Sequence, residues 1–392
     1  MSNFAKSVRA LCTVALGGVA AASVTQVSAE DGVSKSEIHV GTSLAVTGPI
    51  AVCAGVGDGA SAYFKTINDA GGVNGRKIKF TVLDDAYSTQ RAIGNTRRLM
   101  GQDKVFAIFS GCGTATGAAV LSIVEKDSIP YLFPNVGLDS LVNPVKKNVF
   151  SILPLYGQQL TTMIDYVAKS RSPKTAAISM INIAGHEAWL AAVKSKLAAL
   201  GIQIVDEQLI DVTSPEKATF VTQMKAKNPD MVVMIDSSPG AARYVLEMAR
   251  QNWKPKVITG ISTLTDESFL RAAGAAAEGV VVAPSAMLPT ADPKAKECVD
   301  ALSAYDKALT PSSFTMFGCL GAKVFVDALK RAGAEPTRAS LVAEIEKTKG
   351  FESGFSGPIT FSPSAHQGLT SVYPVGIEGG KFKVLGAPLP LQ

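Results

Sequence analysis

The chain is 392 residues long and weighs 40.8 kDa, enough for about two or three domains of ordinary size. Hydrophobic residues at 47% against charged residues at 18% exclude a disordered chain, and 35 glycines and 20 prolines spread along it exclude a coiled coil. The net charge of +5 comes from dispersed lysines and arginines, so no nucleic-acid partner is expected.

Residues 1–29 read as a secretory signal peptide. Lys6 and Arg9 supply the basic start, Leu11 to Ala22 the apolar core, and Val27-Ser28-Ala29 a small-residue cleavage site before Glu30-Asp31. The apolar core is shorter than the ~20 residues a membrane span needs. Cys12 stands at its very start rather than after it, the wrong place for a lipid anchor. The mature protein is therefore expected to be soluble, exported and periplasmic. Its four remaining cysteines, Cys53, Cys112, Cys298 and Cys319, allow three disulfide connectivities. His39, His186 and His366 are far apart, no Cys/His cluster occurs, and no metal or cofactor is expected.

From Glu37 the pattern alternates between two periods. Glu37–Ala45 reads as a strand ending at Thr47-Gly48-Pro49, and Ala60–Ala70 as a helix closed by Gly71-Gly72. Lys77–Leu83 is a strand followed by Asp84-Asp85. A helix (Thr89–Gln102), a strand (Val105–Phe109), a helix (Ala115–Asp127) and a short strand (Tyr131–Phe133) continue the series. After Val149–Pro154 a second series begins. It runs helix Gln158–Lys169, strand Ala176–Ile181, helix Glu187–Leu200, strand Gln203–Ile210 and helix Ala218–Lys227, stopped by Asn228-Pro229. Strand Asp230–Ile235, helix Ala241–Gln251 and strands Lys256–Thr259 and Gly279–Ala283 follow. Three helices (Lys294–Leu309, Phe314–Arg331, Ala339–Lys347) lead to short strands, with Gly357–Phe361 and Val372–Ile377 the clearest. Such alternation implies parallel sheets with right-handed crossovers, helices on both faces, and two doubly wound Rossmann-like lobes.

Open α/β sheets bind ligands at the carboxyl ends of their strands. In the first lobe those loops are Thr47–Ala54, which holds Cys53, Ser110–Thr114, and Asn135–Asp139. In the second they are Asn182–His186, Asp236–Pro239, which includes Ser237, and Ile261–Thr263. Gly113 and Thr114 open a helix, where free amides favour an anion. The G-x-G-x-x-A run at Gly55, Gly57 and Ala60 has the dinucleotide spacing, but it stands too far beyond the preceding strand for the tight turn that motif requires. It reads as a flexible rim. His186-Glu187 lacks a second histidine, since position 190 is leucine, and no G-x-S-x-G elbow is present. No enzyme constellation emerges.

Thr47-Gly48-Pro49, Ala62-Tyr63-Phe64, Ile67-Asn68, the run from Gly71 to Ile78 and Asp84-Asp85 resemble the opening of the Leu/Ile/Val-binding-protein family. These are periplasmic solute-binding proteins of ABC importers with a type I binding fold. The likeness continues through Gln102 to Val105, Asn228-Pro229-Asp230, Ala277 to Val280 and Gly357 to Phe361. It implies three crossover strands, near Ser151–Pro154, Ala283–Met287 and Gly357–Phe361. The lobes would be 30–152 with 286–357, and 153–285 with 358–392. It also implies hinge closure over a small organic solute and delivery to an inner-membrane ABC permease by a monomer.

In amino-acid-binding relatives a Ser and a Thr hold the α-carboxylate; those positions correspond to Gly113 and Gly137 here. The acid that answers the ammonium corresponds to Ser262 and a clamping Tyr to Ala184, while an aromatic position is kept as Phe314. Asp236 could receive an ammonium. Gly113–Thr116 and Tyr131–Gly137 are similar to branches taking aromatic or other hydrophobic carboxylates. The resemblance therefore implies an aromatic or branched aliphatic carboxylate. The alternatives are a branched-chain or related amino acid, a ligand-sensing module, and an NAD-linked enzyme. The expected anchor is the pair of Gly113 and Thr114 amides. The expected bridges are Cys53–Cys112, at one edge of the first sheet, and Cys298–Cys319, on successive helices.

Overall fold

The computed structural model describes residues 30–212, 214, 216–284 and 293–392. The signal peptide and the Ser285–Met287 part of the second expected crossing lie outside these residues. The first sheet contains β1 (Glu37–Leu44), β2 (Lys77–Asp84), β3 (Ala107–Phe109), β4 (Tyr131–Leu132) and β5 (Val149–Phe150) in the spatial order 2-1-3-4-5, all parallel. Between these strands run α1 (Ala54–Asp69), α2 (Thr89–Gly101) and α3 (Thr114–Val124). Ser88 starts α2 because its hydroxyl accepts the Arg91 N–H.

The second series begins with α4 (Tyr156–Arg171), β6 (Thr175–Ile181), α5 (His186–Ala199), β7 (Gln203–Ile210) and α6 (Ala218–Lys227). It continues with β8 (Met231–Ile235), α7 (Ser238–Arg250), β9 (Val257–Gly260), α8 (Glu267–Ala273) and β10 (Val280–Val282). β8 reads Met-Val-Val-Met-Ile and is buried throughout, as a central strand covered on both faces must be. The parallel order 7-6-8-9-10 repeats the topology of the first sheet.

The chain then returns to the first lobe with α9 (Pro293–Tyr305), α10 (Ser313–Arg331) and α11 (Arg338–Glu346). α10 packs along α1, and Phe325 joins Phe64 and Phe109 in a ring cluster with centroids 5.3–5.9 Å apart. β11 (Ser371–Val372) pairs with β14 (Leu389–Pro390), while β12 (Val375–Glu378) and β13 (Lys381–Val384) extend the second sheet antiparallel.

Three expectations need correction. Gly55 to Gly59 form no rim: they lie inside α1, which starts at Ala54 rather than Ala60. Their glycines serve close packing, since a Cβ at Gly59 would stand 1.9 Å from the Thr315 carbonyl oxygen, and one at Gly318 would stand 2.0 Å from that of Val56. Gly357–Phe361 forms no regular strand; Ile359 bridges Phe351, and the segment beside Ser151 is His366–Gly368. The expected Val372–Ile377 strand is broken in two at Tyr373-Pro374, because proline removes a ladder donor.

Candidate functional site

The 2-1-3-4-5 order puts a topological switch point between β1 and β3, and its repeat puts another between β6 and β8. Loops diverge there and leave a crevice. The two crevices face one another across a single cleft. Cys53, Cys112, Gly113, Thr114 and Asn135 line it from the first lobe, and Ile181, Ile183, Asp236, Ser237 and Ser238 from the second.

On the first wall, the Cys53–Cys112 bridge joins the loop after β1 to the loop after β3, with Cα atoms 5.7 Å apart. Cys298–Cys319 joins α9 to α10 in the same way, at 6.0 Å. Both expected pairings are present. Gly113 caps α3 with φ 111°, a backbone region that favours glycine. A Cβ there would also press to 3.0 Å from the Tyr87 ring. Tyr87 is itself left-handed, with φ 62°, and is held so by Asp85. The Asp85 carboxylate accepts the Tyr87 N–H at 2.8 Å and the Ser43 hydroxyl at 2.9 Å. Burial raises the pKa of Asp85 and of the Tyr87 phenol, whose oxygen takes the Ala115 amide at the start of α3.

Tyr156 completes this wall. Burial pushes its phenol up to about 12, against a hydrogen bond with the Thr114 side chain. The Gly113 amide is not free for a ligand, because it donates to the Asn135 carbonyl at 3.3 Å. The expected anchor thus loses one of its two amides.

On the second wall Asp236 is buried and paired with Lys217 at 3.2 Å. Burial raises the Asp236 pKa, while Lys217 and Ser237 pull it down. Ser237 caps α7: its hydroxyl accepts the Gly240 N–H at 3.2 Å and its own N–H donates to Asp236 at 2.7 Å. Ile50, Val52, Val212, Ile261, Phe314 and Thr263 fill the rest of the lining.

Cys53, Gly113, Thr114, Asn135, Asp236, Ser237 and Phe314 are thus brought together. Four other expected contacts are not among the lining residues. Gly137 lies behind Tyr156, where a Cβ would come within 2.2 Å of the ring. Ala184 is exposed, and His186 turns its Nδ1 to the Ile183 carbonyl at 2.9 Å. Ser262 is buried and gives its N–H to Gln159 Oε1 at 2.7 Å. Sequence reasoning missed Tyr87, Tyr156 and Lys217. Tyr87 stands in the loop at the carboxyl end of β2, a place the strand-end rule could have flagged.

A family model described as periplasmic binding protein matches residues 37–381. The chain belongs to the periplasmic binding protein family. It is 23% identical over 328 residues to Leu/Ile/Val-binding protein homolog 3 of Brucella melitensis, covering 83% of this chain and 88% of that one. Among solved structures, a solute-binding protein of an R. palustris ABC transporter in complex with benzoate superposes with TM-score 0.81 at 23% identity, over 90% of this chain and 97% of the other. A branched-chain amino acid ABC transporter protein from Thermus thermophilus with bound valine gives TM-score 0.81 at 21% identity, over 91% and 97%. The type I periplasmic binding fold follows. Among the described residues of this binding protein, no helix is long and apolar enough to cross a membrane.

Proposed function

We propose that this periplasmic binding protein captures a small organic carboxylate with an apolar body, by closing its lobes over the cleft, and presents it to an ABC permease. The observation that carries the reading is the lining. Two tyrosines, Phe314 and six aliphatic side chains surround a few oriented polar groups, and the one acid, Asp236, already has a cation. Such a wall desolvates a hydrocarbon body well. It offers an ammonium no unpaired charge.

The anchor narrows to the Thr114 end of α3, with the Tyr156 and Tyr87 phenols beside it. A partly buried helix end contributes up to ~2 kcal/mol to holding an anion. A hydrogen bond to the charged group adds ~1.5–3 kcal/mol. A branched-chain amino acid is the second reading; the Brucella relative's name and the valine in the Thermus structure favour it.

Calorimetry with 4-methylpentanoate, 3-phenylpropanoate, their amides and the matching amino acids tests the proposal. Amidation should weaken binding at least about tenfold, as loss of a charged hydrogen bond requires. Tighter binding of leucine or phenylalanine than of the deaminated acids would overturn it.

A further inference from the structure

Asp236 ends β8 at the switch point and lines the cleft, yet its side chain and that of Lys217 are each 2% exposed. Its carboxylate meets the Lys217 ammonium at 3.2 Å and the Ser237 N–H at 2.7 Å. On its other side it lies over Gly240, where a Cβ would come within 2.0 Å of Oδ1, so the carboxylate has no room to swing toward α7. Lys217 is just ahead of α6 and comes from behind the wall; its ammonium also lies 5.9 Å from the centre of the Tyr244 ring. Buried ions of opposite sign hold each other, and neither is readily given up. A solute ammonium reaching Asp236 would have to displace a cation that cannot leave the protein.

We propose that Lys217 is a specificity-determining residue: an internal counter-cation that occupies Asp236 and biases the cleft against solutes bearing an α-ammonium. The proposal rests on the carboxylate reading above. Lys217 acts through Asp236, without touching the solute. Structural damage would weaken every ligand alike, so the readout is a ratio, the Kd of L-leucine over that of 4-methylpentanoate, two molecules differing only by the amino group.

Lys217→Met exposes the Asp236 charge to the cleft and should lower the ratio at least about tenfold, the scale of a close charge pair losing one partner. Asp236→Asn leaves Lys217 unopposed and should raise it. The double variant, neutral again, should return it toward wild type, and Lys217→Arg should keep it. If Lys217→Met does not fold, Asp236→Asn alone still tests the pair, since a freed Lys217 ammonium at the cleft wall should raise the ratio and an unchanged ratio would count against it. Ratios that stay within about threefold of wild type in these variants would overturn the assignment. A wild type that prefers leucine would overturn the carboxylate reading alone, since a fall in the ratio on removing Lys217 would still support its role.

Discussion

Gly318→Ala should be among the most damaging single-methyl additions in this protein, and Gly94→Ala one of the most benign. The added Cβ at Gly318 would stand 2.0 Å from the Val56 carbonyl oxygen, 2.8 Å from its carbon and 3.1 Å from the Ala60 nitrogen. All three are backbone atoms, so no rotamer change relieves the contact. Restoring an ordinary separation of about 3.5 Å requires α1 and α10 to part by roughly 1.5 Å. α10 is buried along almost its whole length and cannot retreat without opening the core around Phe64 and Phe325. Overpacking of this kind costs about 1–3 kcal/mol and more where the neighbours are rigid; the upper end applies here. Gly94 lies mid-way along α2 with nothing within 4 Å of its added methyl. There alanine should stabilise by about 0.5–1 kcal/mol, because glycine loses more backbone entropy in a helix. Urea unfolding followed by far-ultraviolet circular dichroism suits both variants. Indole fluorescence does not, since Trp189 lies on α5 and Trp253 ahead of β9, both in the second lobe. A Gly318→Ala midpoint equal to or above that of Gly94→Ala would refute the close helix contact.

The two disulfides should differ in weight. They join residues 59 and 21 apart, so removing them pairwise to serine should cost about 4 and about 3 kcal/mol on chain-entropy grounds. Only the Cys53/Cys112 pair should also weaken solute binding, and an effect of the Cys298/Cys319 pair on affinity would contradict that division. Asp84 has its pKa lowered to about 2, first by the Thr47 hydroxyl and then by the Ala86, Thr47 and Val46 amides that it holds at the end of β2. Its folded value lies below the ordinary 3.8, so its stabilising contribution is complete above that pH and is lost as pH falls toward 2. Asp84→Asn should flatten the acid limb of a stability-against-pH curve between those values; an unchanged limb would remove Asp84 as its source.

The strands were legible because parallel strands covered on both faces write continuous apolar runs bounded by turn residues, as in Met231–Ile235. Their carboxyl-end loops, and with them much of the cleft, followed from that order. What failed depended on distant partners. Gly55, Gly57 and Gly59 look like turn residues locally, and only distant partners explain the helix: Gly55 and Gly59 meet Phe314 and Thr315, more than two hundred positions away, and Gly57 meets Leu44 and Val82. α8 escaped because seven residues capped by Asp266 carry too little periodicity to stand out. The Gly113 amide seemed free at a helix start, but the Asn135 carbonyl that takes it comes from the loop after a neighbouring strand. Lys217 gave no signal of its own; its meaning lies in the end of β8, which meets it only in three dimensions.

The first lobe is written in two pieces, with most of the second lobe between them. α1 emerges from synthesis early, with Gly59 and Phe64 packed against α10, whose residues follow some two hundred and fifty positions later. Until α10 arrives that face has no cover, and its closure must join ends separated by most of the chain. Such long-range pairing slows folding and prolongs the life of sticky intermediates. An N-terminal fragment ending before residue 293 would therefore lack the helices that roof its first sheet, and vectorial folding of that half alone should end in aggregation rather than in a separate domain.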